Sequence, residues 1–226
     1  MSVPAATSGH PARGRLITLE GLEGVGKTTN RAHVERRLDE AGHRVLATRE
    51  PGGTPVGEAL RSLVLDAGAE LLPETELLLM TASRIEHVAR VVEPALARGD
   101  WVLCDRFLDA SVAYQGGGRE LGAAFVAELH ARLGMRLVPD LTILLDMPPR
   151  AGLARIGARG APDRIEREGI AFFERARAAY LGRAAAEPAR IVVVDAARPL
   201  VDVQASIDVA LRERLDIDAG APASTR

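Results

Sequence analysis

The sequence predicts a three-layer α/β domain whose central sheet has five parallel strands. Five short runs are rich in valine, isoleucine and leucine without alternating polar positions, which is typical of parallel strands covered on both faces. Helical periodicity fills the intervals between these runs, and strands that alternate with helices build a parallel sheet with helical layers. The length of 226 residues, with no internal repeat and no long linker, fits a single domain.

The elements follow one another in regular order along the chain. The predicted strands occupy residues 15–20, 44–49, 101–105, 141–146 and 191–195. The predicted helices occupy residues of about 28–41, 56–66, 74–98, 121–134, 149–159, 166–186 and 199–215. We expect residues 15–216 to form the domain, with flexible tails at 1–14 and 217–226. The charged segment at about 150–168 is interpreted as a small, arginine-rich lid.

Composition excludes several classes of protein. The net charge of −2 gives no overall attraction toward nucleic acid or membrane surfaces, and no segment approaches the roughly 18 apolar residues of a membrane span. Cys104 is the single cysteine, which rules out an intrachain disulfide and a multi-cysteine metal site. We therefore expect a cytoplasmic protein without a nucleic-acid or membrane partner.

A glycine-rich loop follows the first predicted strand and precedes the first predicted helix. Residues 21–28 read GLEGVGKT and match G-x-x-x-x-G-K-[ST], in which backbone N–H groups surround phosphate oxygens at the positive end of a helix. In such a loop Lys27 reaches the β- and γ-phosphates, and the hydroxyl of Thr28 binds Mg²⁺. Lys27 is also the only lysine among 29 lysine and arginine residues, which indicates a role that arginine fills poorly. The residues predicted to bind ATP are Gly21, Leu22, Glu23, Gly24, Val25, Gly26, Lys27, Thr28 and Thr29.

The phosphate loop alone does not separate a kinase from a GTPase or an ATP-driven machine. A GTPase is expected to carry an Asn-Lys-x-Asp motif for guanine, and a chain with no lysine besides Lys27 cannot contain one. The chain is also short for a motor protein. These observations favour a kinase.

Charged residues stand at the ends of three predicted strands, where ligands gather in open parallel sheets. Arg49 and Arg106 are positioned to clamp a second phosphate, although two surface salt bridges would give the same pattern. Asp105 is a candidate for holding Mg²⁺ together with Thr28, the alternative being a helix or turn cap. Glu23, inside the phosphate loop, is expected to position Arg49 or a Mg²⁺-bound water, the alternative being a solvent-facing loop residue.

Three arginines, Arg155, Arg159 and Arg164, crowd the predicted lid. An arginine that closes over a migrating phosphoryl group stabilises its spreading negative charge, so we expect a catalytic role for at least one of them. The alternative is a solvated basic face, which is the usual meaning of clustered charge.

A pocket for the phosphate acceptor is predicted between the third helix and the segment after the third strand. Arg84 interrupts an apolar stripe that includes Met80, and an arginine there is expected to meet a polar ligand group or a carboxylate. Ser111, Tyr114 and Gln115 supply a hydroxyl, a ring and an amide next to three glycines, which suits a small planar ligand, although core packing explains Tyr114 equally well.

Taken together, these motifs resemble those of the thymidylate kinase family, from about residue 15 to about residue 215. The most specific segments are GLEGVGKTT, TREPGGTPVGE, DRF, AYQGGGR, PDLTILLD and RGAPDRIE. The resemblance implies a P-loop kinase fold with strand order 2-3-1-4-5, Mg²⁺ as cofactor, and transfer of the γ-phosphoryl group of ATP to dTMP. It also implies a homodimer, with the helices at 56–66 and 74–98 as candidates for the interface.

The resemblance further implies roles for single residues. Lys27, Arg49, Arg106 and the lid arginines would be catalytic. The residues implied to bind dTMP are Glu23, Arg49, Met80, Arg84, Arg106, Ser111, Tyr114 and Gln115, with Met80 where the family often has an aromatic ring. Two other functions stay open at this point: a kinase for another nucleoside monophosphate or a deoxynucleoside, and a module that binds ATP without turnover.

Overall fold

The computed structural model describes residues 13–156 and 162–217. Arg159 of the predicted lid and most of both predicted tails lie outside these ranges. The sheet consists of β1 (Leu16–Glu20), β2 (Val45–Arg49), β3 (Trp101–Asp105), β4 (Leu141–Asp146) and β5 (Ile191–Asp195). Every neighbouring pair is parallel, and the order is β2-β3-β1-β4-β5, which confirms the predicted topology.

Helices cover the sheet and connect its strands. They are α1 (Lys27–Glu40), α2 (Pro55–Leu65), α3 (Pro73–His87), α4 (Glu93–Ala97), α5 (Leu108–Ser111), α6 (Ala123–Arg132), α7 (Pro149–Ile156), α8 (Ile170–Ala186) and α9 (Leu200–Leu215). A π-helical turn, Val88–Val92, joins α3 to α4, so the long helix predicted at 74–98 is one continuous rod with a local irregularity. None of the helices in the described ranges combines the length and the hydropathy that a bilayer crossing requires.

One predicted helix needs correction, and one helical segment was not predicted. The helix predicted from residue 166 begins only at Ile170, because residues 163–168 form turns that bond to the end of α2. Residues 108–118, to which the sequence assigned no element, form α5 and a second π-helical turn, Val112–Gly118. Glycine permits this turn to pack tightly on α8, since a Cβ atom on Gly118 would lie 2.5 Å from the ring of Phe172.

The central strand is buried on both faces, which explains its unbroken apolar sequence. Ile17 and Leu19 of β1 belong to the larger hydrophobic cluster, whereas Leu16 belongs to a second cluster on the opposite face. Adjacent residues of a strand point to opposite faces, so each cluster is the core beneath one helical layer. The carboxyl ends of the inner strands meet at one edge, where Asp105 is level with both Leu19 and Arg49.

Candidate functional site

The phosphate loop connects β1 to α1 in a backbone conformation that only glycine adopts easily. Gly21, Gly24 and Gly26 have φ values of 134°, 75° and 88°. The loop also packs closely on α7, because a Cβ atom on Gly24 would lie 2.0 Å from the carbonyl oxygen of Gly152. The first turn of α1 directs its free N–H groups toward the same loop, as an anion site requires.

Lys27 is the first residue of α1, and its ammonium group lies inside the loop. Nζ donates hydrogen bonds to the carbonyl oxygens of Gly21 at 3.0 Å and Leu22 at 2.8 Å. Burial, followed by the positive charge of Arg106, lowers the pKa of Lys27 from 10.5 to about 8. An anion that enters the loop stabilises the protonated form of Lys27 and raises its pKa again.

A cavity of about 430 Å³ opens beside the phosphate loop at the carboxyl edge of the sheet. It brings together ten of the predicted site residues, which are Glu23, Gly24, Lys27, Thr28, Arg49, Met80, Asp105, Arg106, Tyr114 and Gln115. The cavity is thus continuous from the predicted ATP loop to the predicted acceptor pocket.

Arg106 lies at the centre of the site and is held by several groups. Its Nη2 donates to Glu23 Oε1 at 2.7 Å, and its Nη1 donates to the Gly21 carbonyl oxygen at 3.0 Å. Tyr114 places its ring 4.8 Å from the guanidinium carbon and donates its hydroxyl to Glu23. Glu23 therefore positions Arg106, where the sequence analysis expected Arg49 or a water. Arg106 itself has a φ of 69°, in a region that costs a non-glycine residue energy.

Two more arginines line the same cavity. Arg49, at the end of β2, is half exposed and donates from Nη2 to Glu58 Oε2 at 2.8 Å. Arg61, on α2, donates to the Pro51 carbonyl oxygen at 3.1 Å. Burial and the charges of Arg49 and Arg106 lower the pKa of Arg61, as expected where guanidinium groups crowd together without enough counter-charge.

Arg61 was not among the predicted site residues, although its position on α2 could have indicated it. Arg61 stands on the helix face of two buried residues, Gly57 and Val64. An arginine in such a row is the same anomaly that pointed to Arg84.

The sequence analysis also missed Glu20, a carboxyl group at the end of β1. Its side chain is fully buried and accepts hydrogen bonds from the Phe107 backbone N–H and the Tyr180 hydroxyl, both at 2.7 Å. Burial, with a contribution from Asp109, raises the pKa of Glu20 from 4.5 to about 8. A polar residue within an otherwise apolar strand, just before the phosphate loop, was the available signal.

Asp105 and Thr28 lie together on the cavity wall. Oδ1 of Asp105 is buried and has no hydrogen-bond partner within the described ranges. A carboxylate oxygen left without a donor fits a hard cation, and a carboxylate with a hydroxyl is a donor set that suits Mg²⁺. Phe107, not Asp105, is the N-cap of α5, and its side chain makes no capping bond.

Arg84 and Ser111 lie behind the cavity wall and are both buried. Arg84 donates to Glu50 Oε2 at 2.6 Å, to Ser111 Oγ at 2.9 Å and to the Phe107 carbonyl oxygen at 2.8 Å. Its Nη1 also lies 2.8 Å from His130 Nε2, and burial together with this guanidinium lowers the pKa of His130 to about 4. The arginine meets a carboxylate, which is one of the two environments predicted for it.

The described lid arginines lie outside the wall of the cavity. Arg155 is exposed near the end of α7 and lies 3.4 Å from the Ala196 carbonyl oxygen. Arg164 donates to the Val64 carbonyl oxygen and to Glu76 Oε2, each at 2.7 Å. Residues beside Arg164 do reach the cavity, namely Asp163, Ile165 and Glu166.

A phosphate loop with a partly buried lysine, in one cavity with a cluster of three arginines, defines a P-loop phosphotransferase that acts on a phosphorylated acceptor. The family model described as "Thymidylate kinase" matches residues 19–207. The chain belongs to the thymidylate kinase family, and it is an ATP-dependent nucleoside monophosphate kinase that converts dTMP to dTDP.

Relatives and a solved structure support this assignment. Thymidylate kinase of Bordetella petrii is 54% identical over 201 residues, which cover 89% of this chain and 96% of the relative. Thymidylate kinase of Pseudomonas syringae pv. tomato is 53% identical over 208 residues, which cover 92% and 99% of the two chains. The crystal structure of thymidylate kinase from Ehrlichia chaffeensis has a TM-score of 0.72 and 29% identity, covering 88% of this chain and 99% of that chain. These comparisons lend no support to the two alternative functions.

Proposed function

We propose that the cavity holds ATP and dTMP end to end, with ATP on the phosphate loop and the dTMP phosphate on Arg49, Arg61 and Arg106. The observation that carries this proposal is that Lys27 and the three arginines line one continuous cavity, in which Lys27 and Arg106 donate to the same carbonyl oxygen of Gly21. Phosphoryl transfer requires the γ-phosphate and the attacking oxygen to lie in line and close together, which this arrangement favours.

The three arginines differ in how firmly they are held. Arg106 is fixed by Glu23 and the loop carbonyl oxygen, so it is preorganised for a phosphate. Arg49 is half exposed, and its partner Glu58 also accepts a hydrogen bond from the Gly53 N–H at 2.9 Å. A dianionic phosphate competes well for such a guanidinium group, since exposed ion pairs contribute little.

Mg²⁺ is the cofactor that the site residues fit. Thr28 and Asp105 would hold the ion, and its chemistry would be to neutralise charge on the phosphates of ATP. Lys27 would contact the β- and γ-phosphates from the opposite side, and the N–H groups of residues 21–29 would surround them.

The base of dTMP is proposed to lie against Met80, Tyr114 and Gln115, which line the same cavity. Met80 offers a soft, polarizable contact to a flat ring. Contact of Arg84 or Ser111 with the base stays a prediction. In the described geometry Arg84 donates a hydrogen bond to Ser111, so both side chains already have a partner within the protein. The bonds that Arg84 donates to Glu50 and to the Phe107 carbonyl oxygen would then shape the pocket from behind.

Stabilisation of the transition state by a lid arginine also stays a prediction for Arg155, Arg159 and Arg164. Alanine at the residue that acts should lower kcat by about 10²-fold or more, with a smaller change in the KM for dTMP. If all three single variants and the triple variant kept their kcat, the cluster would be a solvated face.

We also propose a homodimer in the cytoplasm. Large apolar side chains are exposed along α2 and α3, namely Val56, Leu63, Leu78 and Ile85. Adjacent helices that both expose such side chains suit burial against a second copy of the chain. Light scattering should give twice the chain mass, and Leu78→Glu should shift it toward the monomer. An unshifted mass would place the interface elsewhere. The lone, buried thiol of Cys104 suits a reducing compartment.

The proposed placement of the two substrates is tested by steady-state kinetics in which ATP and dTMP are varied independently. Arg49→Gln and Arg61→Gln should each raise the KM for dTMP about tenfold to a hundredfold, the loss of one charge-assisted hydrogen bond. The KM for ATP should change little. Arg132→Gln is the matched control, because this exposed arginine pairs only with Glu128 among the described contacts. A larger effect on the KM for ATP than on that for dTMP would contradict the placement.

A further inference from the structure

Glu76, in the first turn of α3, is a fully buried carboxylate with no role in the phosphate chemistry. It accepts hydrogen bonds from Gln115 Nε2 at 2.7 Å, from Arg119 Nε at 3.1 Å and from Arg164 Nη2 at 2.7 Å. Burial alone would raise the pKa of Glu76, but the hydrogen bonds from Gln115 and the two arginines keep this pKa below its ordinary value. Glu76 is therefore an anion that accepts hydrogen bonds from all three of these side chains.

The carboxylate fixes the orientation of the Gln115 amide. An ionised carboxylate only accepts hydrogen bonds, so the NH₂ group of Gln115 has to face Glu76. Oε1 of Gln115 is then turned the other way, and it is buried without a hydrogen-bond partner in the described part of the chain. Gln115 lines the cavity, as does Met80 from the next turn of the helix that carries Glu76. An unpaired acceptor at this place calls for an N–H donor on the ligand.

The same carboxylate also anchors a second part of the cavity wall. Arg164 joins Glu76 to the end of α2, where its backbone N–H and its Nε bond to the carbonyl oxygens of Leu65 and Val64. Ile165, next to Arg164, lines the cavity. The Glu76 side chain thus contacts both Gln115 and the arginine that holds residues 164–165 against the end of α2.

We propose that Glu76 is a positioning residue for base selection, which presents the Gln115 carbonyl oxygen to a ring N–H donor of the acceptor base. Thymine carries an imide N–H on its ring, whereas cytosine has an unprotonated acceptor nitrogen at the same ring position. The arrangement would select imide bases and reject cytosine, because two acceptors cannot share a hydrogen bond. This inference rests on the proposed placement of the base beside Met80 and Gln115.

The test compares dTMP with 5-methyl-dCMP, which keeps the methyl group and the sugar phosphate and changes only the imide edge. The readout is the ratio of kcat/KM for the two acceptors. In Glu76→Gln the Gln115 amide can rotate and exchange the positions of its oxygen and nitrogen, so it can present either group to the base. The ratio of kcat/KM for dTMP to that for 5-methyl-dCMP should therefore fall about tenfold to a hundredfold. The fall should appear mainly in KM, with kcat at saturating dTMP within a few-fold of the wild type. Glu74→Gln is the matched control, since Glu74 is an exposed acid in the same first turn, and its ratio should be unchanged.

A double variant separates positioning from a general structural effect. In the Gln115→Leu background, Glu76→Gln should no longer change the ratio, because the amide through which it acts is gone. An unchanged ratio in Glu76→Gln, or an equal fall in both backgrounds, would overturn the proposal. If Glu76→Gln does not fold, Glu76→Asp replaces it: this variant keeps the charge but is one methylene shorter, and the same fall is expected.

Failure of the inference can be distinguished from failure of the proposed base pocket. If Gln115→Leu alone changes neither the KM for dTMP nor the ratio, the base does not lie beside Gln115 and the placement itself is wrong. If Gln115→Leu lowers the ratio and the Glu76 variants do not, the placement of the base beside Gln115 is supported and only the positioning role of Glu76 is wrong.

Discussion

The partly buried ammonium group of Lys27 should make ATP binding depend on pH above neutrality. In the free enzyme the pKa of Lys27 is lowered to about 8 by burial and by Arg106. Because the pKa is lowered, the group is charged below pH 8 and loses its proton as the pH rises through that value. The phosphates of ATP favour the charged form, so binding above pH 8 has to be accompanied by uptake of one proton.

The expected size follows from the pKa. The charged fraction of Lys27 falls about tenfold for each pH unit above 8, so the Kd of a non-hydrolysable Mg·ATP analogue should be about tenfold larger at pH 9 than at pH 7. The phosphate groups do not titrate in this window, since their second pKa is near 6. Titration calorimetry without dTMP gives both the Kd and, from buffers of different ionisation enthalpy, the proton count.

Two variants test whether the increase in Kd above pH 8, here called the pH step, comes from Lys27. Lys27→Arg should bind the analogue weakly and without the pH step, because a guanidinium group stays charged and its planar fork does not fit the compact ammonium position. Glu23→Gln should keep the pH dependence but move it to lower pH, since the charge of Glu23 favours the charged form of Lys27. A Kd that stays constant from pH 7 to 9.5 in the wild type, or a step that survives in Lys27→Arg, would refute the reasoning.

Two further predictions concern packing beside the site. Gly152→Ala should lower the affinity for ATP, because its Cβ atom would lie 2.4 Å from the carbonyl oxygen of Glu23 and displace the phosphate loop. Gly182→Ala is its control, with open space around the new methyl group on an exposed face of α8 and an expected gain in stability of about 0.5–1 kcal/mol. Arg84→Met should lower the free energy of unfolding by about 3–5 kcal/mol in a urea titration, since it removes the guanidinium group from the buried Glu50 and leaves only His87 beside it. Arg90→Met, which removes an exposed arginine, should change the free energy of unfolding by less than about 1 kcal/mol. Equal changes in Arg84→Met and Arg90→Met would show that the buried ion pair stabilises the fold no more than an exposed one.

The strands were predictable because a parallel sheet leaves a strong local signal. All five predicted strands are present, and each boundary differs by at most one residue from the structure. The carboxyl edge of the sheet was predictable for the same reason, since Arg49, Asp105 and Arg106 stand directly at strand ends.

The helical turn at 112–118 and the ion pairs of the site depend on contacts between distant segments, which composition does not reveal. Residues 112–118 contain three glycines and carry no helical pattern, yet they form a helical turn that packs against α8. Which carboxylate would hold which arginine was equally hidden. Glu23 holds Arg106, 83 positions away, and Glu76 holds Arg164, 88 positions away.

The central claim is that this chain transfers a phosphoryl group from ATP to dTMP. A coupled assay of ADP release, run with dTMP, dUMP, dCMP, dAMP, dGMP and thymidine in the presence and absence of Mg²⁺, tests it most directly. We expect Mg²⁺-dependent turnover with the highest kcat/KM for dTMP, and no turnover with thymidine, which has no phosphate for the three arginines to clamp. A higher kcat/KM for another monophosphate, turnover with thymidine, or ATP binding without product from any acceptor would contradict the claim.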